Sequence, residues 1–149
     1  MKAVGSTRKA FTIAELSIAL TIMGLLVAMA IPIFTQAMEQ ARLDTASRQL
    51  MNIWSAQRVY WLSSRSFADD LAVLYADDLI SSKILDASVS DDLAYAYSVD
   101  SASASAFSAS ARRQNSSKWS GTIFIDQTGT ISGSIGSAGR TTLYPISGD

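Results

Sequence analysis

Glu15 is the one carboxylate ahead of Glu39, and it stands at the head of an uncharged run from Leu16 to Met38. As a helix rising about 1.5 Å per residue, that run is roughly 35 Å long, and a bilayer core needs about 20 apolar residues. A carboxylate at the threshold of such a run is costly in lipid, and such groups as a rule have a partner and a role. Other chemistry is scarce. The chain has no histidine and no cysteine, which removes the commonest general base, the commonest metal ligand and any thiolate site. No paired-carboxylate motif sits on a defined scaffold, so an enzyme is the least favoured class. No cofactor is implied.

The remaining polar clusters have plain structural alternatives. Three acidic doublets, Asp69-Asp70, Asp77-Asp78 and Asp91-Asp92, offer oxygens of the kind calcium prefers, but no loop has EF-hand spacing. Aspartate is also favoured at helix starts on its own account, so capping or solvation is the simpler reading. Arg112, Arg113 and Lys118 form a small basic cluster, which reads as a solvated loop. The net charge is −1, and removing Lys2, Arg8 and Lys9 takes it to −4. General nucleic-acid binding needs a basic footprint and is not expected. Trp54, Tyr60, Trp61, Tyr95, Tyr97, Phe107 and Trp119 would suit a sugar or electron-transfer platform, but their spacing puts most of them on apolar faces, where core packing is expected.

These residues must be positioned by the elements around them. Phe11 to about Leu62 reads as one long helix, with Pro32 inside it as a kink. Beyond Pro32, Leu43, Ala46, Leu50, Ile53 and Tyr60 or Trp61 recur at spacings of three and four, an amphipathic stripe that must bury itself against something. Ser66 to Asp69 has the form of a capping box opening a short helix through Leu74, and a second helix is expected from Asp77 or Asp78 through Leu85. Four strands follow: from Leu93 to Val99, around Phe107 to Ala111, from Gly121 to Ile125 and around Ile131. Asp126 to Gly129 makes the last hairpin turn, and Gly133 to Asp149 reads as a loose tail. The fold expected is α+β, a long N-terminal helix packed on a small antiparallel sheet of about four strands. Its membrane-capable first half spans 11–38, and the globular part, with the second half of the helix, spans 39–149.

The N-terminus resembles that of type IV pilins and type II secretion pseudopilins. A basic leader, residues 1–10, ends in a small residue, Ala10; Phe11, Thr12, Ile13 and Ala14 precede Glu15; an apolar helix with Pro32 follows. Ala10 departs from the commoner glycine and Ala14 from the commoner leucine. The resemblance implies cleavage between Ala10 and Phe11 by a prepilin peptidase that also methylates the new amine. It implies that Glu15 pairs with the N-terminal amine of a neighbouring subunit, that Pro32 marks a kink, and that the partners are other pilin subunits, an inner-membrane assembly platform and the lipid bilayer. The leader cations place the N-terminus in the cytoplasm and the globular domain outside, with a surface pilus or periplasmic pseudopilus as the destination. The expected function is a structural pilus subunit, with a secretion pseudopilin as the alternative of the same class. A different class is also open. Ala28-Met29-Ala30 fits a signal-peptidase site, and cleavage there would release a soluble binding domain beginning at Ile31.

Overall fold

The computed structural model describes residues 11–89, 94–138 and 141–145. Three helices come first: α1 (Ile13–Ser64), α2 (Leu71–Ala76) and α3 (Ser82–Val89). Five strands follow: β1 (Tyr95–Ala102), β2 (Phe107–Arg113), β3 (Trp119–Asp126), β4 (Ile131–Ser137) and β5 (Thr142–Leu143). The chain divides into two compact units, one ending at Met38 and the other starting at Glu39.

The second unit holds the core. On α1, Leu43, Ala46, Leu50 and Ile53 are fully buried or nearly so, and they lie three or four residues apart as one face of a helix requires. They cover the inner face of an antiparallel meander in which each strand pairs with its sequence neighbour, β1 through β5. Phe107, Ala109 and Ala111 of β2 and Ile123 and Ile125 of β3 supply that face, with Ile131 and Ile135 of β4. Period two sets the choice, because alternate side chains point to opposite faces. Each fully buried Leu or Ile contributes on the order of 1.5–3 kcal/mol relative to exposure. Tyr95, Tyr97, Phe107 and Trp119 are buried, and Trp54 and Tyr60 pack against the same cluster. A buried amide closes the side: Gln57 Nε2 donates to Ala68 O and Gln57 Oε1 accepts from Ala68 N, both at 2.8 Å.

Three expectations need correction. The segment from Gly133 is not a loose tail: it continues as β4 to Ser137, and Thr142–Leu143 adds a fifth strand. Its glycines suggested a loop, but Gly133 is there to let strands approach. Gly121 and Gly133 have φ of +143° and +96°, and a Cβ would fall 2.3 Å from Ser134 O or 2.4 Å from Thr122 O. Each glycine thus admits the backbone of the opposite strand. Secondly, α2 is capped by Asp70, whose side chain accepts from Ala72 N, not by a box from Ser66. An Asx cap immediately before the helix satisfies one of its orphan donors directly. Thirdly, Asp77 and Asp78 close α2, and α3 begins at Ser82. The leader, Leu93 and the Asp91-Asp92 doublet lie outside the described residues.

Candidate functional site

The start of α1 is built by Thr12 and Glu15. Glu15 N donates to Thr12 Oγ1 (3.1 Å), while Thr12 N and Thr12 Oγ1 both donate to Glu15 Oε2 (2.9 and 3.0 Å). This is a reciprocal capping box. The signal is in the sequence, since Thr12-Ile13-Ala14-Glu15 has the S/T-x-x-E spacing. The box uses one carboxylate oxygen; Oε1 accepts no hydrogen bond from the described residues. Phe11, beside it, is 87% exposed. Ala10 lies outside the described residues, and the backbone at Pro32 lies within α1.

Behind Glu15, every large apolar side chain from Leu16 to Phe34 is more than half exposed. The polar groups among them are satisfied locally: Ser17 Oγ donates to Ile13 O and Thr21 Oγ1 to Ser17 O. α1 is therefore long and apolar enough near the N-terminus to cross a membrane. A helix apolar on all sides is covered by other protein or by lipid, and none of the described residues of the first unit covers this one.

A second group of charges is buried. Glu39 is 1% and Arg113 8% exposed. Arg113 Nε donates to Glu39 Oε1 at 2.5 Å and Nη2 to Oε2 at 3.0 Å, a bidentate pair. Arg113 Nη1 also donates to Ala94 O at 2.9 Å and to Gln114 O. Arg42 reaches Glu39 Oε2 from the exposed side at 3.2 Å. Here the expected solvated basic cluster fails for Arg113. Both partners were findable. Arg113 continues the inward phase Phe107, Ala109, Ala111, and Glu39 stands four residues before Leu43 on the buried stripe. The two charges offset each other's desolvation, which neither could bear alone. The Tyr95 ring lies 5.6 Å from the Arg113 guanidinium carbon, and its hydroxyl has no hydrogen-bond partner among the described residues. Burial, and then the nearby Glu39 carboxylate, push the Tyr95 hydroxyl well above its ordinary range. Burial alone pushes Tyr97 up to about 12.

The chain matches no family model and no curated protein. Function must therefore be argued from these two places. The Glu39–Arg113 pair is closed by its own neighbours and reads as a fold-specifying contact. Among the described residues, no three His, Cys, Asp or Glu side chains converge to hold a metal ion. Asp70 is used as a cap. Asp126 is used in a turn, where Thr128 Oγ1 and Thr128 N donate to it. Those bonds, the Thr128 hydroxyl first, hold the Asp126 carboxyl below its usual range. The start of α1 differs from all of these. It presents an ionisable group with an unused oxygen at the head of an uncovered apolar surface.

Proposed function

We propose that this chain is a structural subunit of a type IV pilus-like filament, not an enzyme. Residues 11–38 anchor it in the inner membrane before assembly, with the N-terminus cytoplasmic and the globular domain outside. A prepilin peptidase cleaves between Ala10 and Phe11 and methylates the new amine. The assembly platform then passes the subunit into a bundle of like helices, which replaces the lipid contacts of the apolar half. The observation that carries this reading is the uncovered apolar first half of α1 headed by the single carboxylate Glu15. In a low-dielectric bundle, the attraction of Glu15 Oε1 for a neighbour's N-terminal amine is larger than at a surface. It must still offset the desolvation of both charges, so its main effect is to select one assembly register over slipped ones.

Mass spectrometry of the mature chain is expected to find Phe11 at the N-terminus, N-methylated. A mature chain beginning at Ile31 would replace this reading with that of a released soluble domain. Glu15→Gln is expected to leave cleavage, insertion and the domain intact while lowering the ratio of filament-resident to membrane-resident subunit. An unchanged ratio removes the pairing mechanism and leaves the anchor.

A further inference from the structure

The C-terminal end of α1 forms the floor of a groove of about 540 Å³. Its walls are two hairpin turns, each held to the helix by an indole N–H. Trp54 Nε1 donates to Gln127 O at 3.1 Å and Trp61 Nε1 to Ala104 O at 2.8 Å. The floor keeps apolar side chains in solvent: Val59 is 52% and Leu62 68% exposed. Two cations border it. The guanidinium of Arg58 lies 4.8 Å from the Trp54 ring and that of Arg65 5.3 Å from the Trp61 ring. No acidic residue lines the groove.

A surface of opposite character sits at the end of α2. Tyr75 is 44% exposed and is followed by Asp77 and Asp78. The turn is rigid: Asp78 N donates to Tyr75 O at 3.0 Å and Leu79 N to Leu74 O at 2.9 Å. This is a Schellman closure with the Leu74–Leu79 apolar pair that accompanies it. Acids at a helix C-terminus meet the negative end of its dipole, so the local fold does not explain them. Asp78 also holds φ of +57°, as Arg65 does at the end of α1. That is the position where glycine is the usual residue. Two helices thus end on a charged residue in a glycine conformation, one basic and one acidic. None of Arg58, Arg65, Asp77 and Asp78 makes an ion pair among the described residues.

We propose that the acidic α2 tip of one copy, with Tyr75 as its apolar knob, docks in the α1 groove of a second copy. Charge complementarity selects the occupant. The groove offers exposed apolar floor between two unpaired cations, and the tip offers an exposed aromatic beside two unpaired acids. The two surfaces are different parts of the chain, and the proposed contact is the heterologous one, in which each copy takes the tip of the next and the contact propagates; the reciprocal arrangement would close as a dimer. This rests on the filament reading and supplies it with a contact between globular domains.

The chain has no cysteine, so a disulfide can report the contact directly in the full chain. With Leu62→Cys and Tyr75→Cys together, oxidation is expected to give a ladder of covalent oligomers; either substitution alone gives none beyond dimer. Asp77→Lys with Asp78→Lys is expected to lower ladder yield by about tenfold or more, because like charges then face each other. Adding Arg58→Glu and Arg65→Glu is expected to restore it. No ladder, a ladder indifferent to charge reversal, or a crosslink to some other protein each overturns the contact. A charge-sensitive ladder from a chain that never leaves the membrane keeps the contact and removes the filament reading. A chain that assembles normally without a ladder does the reverse.

Discussion

The two halves of α1 share one helical backbone and are opposite in what surrounds them. From Leu16 to Phe34, every large apolar side chain is more than half exposed; from Leu43 to Ile53, the stripe is sealed. Helix propensity does not separate them, since both carry several Leu and Ala. Coverage does. The second half places polar residues on its outer face and finds its partner in the sheet of its own chain. The first half has apolar residues on all faces and finds no such partner among the described residues. One helix carries two separate burial problems, of which the chain itself solves one.

The comparison breaks most sharply at Glu39, the first residue of the covered half. Arg113→Met or Glu39→Met alone is expected to destabilise the domain by about 3–5 kcal/mol, because each strands a buried charge. The double substitution is expected to lose much less. Denaturant unfolding of the full chain in detergent, followed by tryptophan fluorescence, measures all three. Single losses under about 1 kcal/mol would mean that water reaches the pair, since exposed pairs contribute only that much.

The next effect tests the halves against each other. Leu50→Ala or Ile53→Ala is expected to cost about 2–5 kcal/mol in the same assay. Leu25→Ala or Leu26→Ala is expected to stay within about 0.5 kcal/mol, as for surface positions. Equal losses in both halves would show that the first half is covered by its own chain.

The smallest effect belongs to the buried tyrosines, and only in alkali. Tyr97 is raised from 10 to about 12 in the folded state. The folded state therefore holds this proton more tightly than the unfolded one. Its contribution is complete below pH 10 and is lost as pH rises toward 12, with Tyr95 adding in the same direction. Tyr97→Phe is expected to flatten the fall in stability between pH 10 and 12 while leaving neutral pH nearly unchanged. An identical slope would place the Tyr97 hydroxyl in water.

Much of this was legible beforehand. The buried stripe through Ile53, the four main strands and the Asp126 turn follow from spacing alone, because periods of 3.6 and two report which side chains share a face. What escaped is instructive. Arg113 reads as part of a solvated cluster when its charge is weighed ahead of its phase, although it sits in phase with the buried Phe107, Ala109 and Ala111. Gly133 reads locally as a loop residue because its role is a close approach by another strand, which no local pattern reports. Asp78 has the residue type favoured at a helix start and lies instead at a helix end in a left-handed turn. At the candidate site, Glu15 stood out by charge alone, while its bond to Thr12 needed the spacing to be read as a cap.

The meander has a consequence in time. Each strand pairs with the next along the chain, so every hairpin closes over a short loop. The helix cannot dock so locally, since Glu39 and Arg113 are 74 positions apart. By chain entropy, closing a loop of that length rather than one of a few residues costs about 2 kcal/mol more. Synthesis imposes the same order. The stripe ending at Ile53 emerges about 60 residues before β2 is complete, which at about 5–20 residues per second leaves it without its sheet for several seconds. During that interval the stripe of the second half of α1 is as uncovered as the apolar residues of the first.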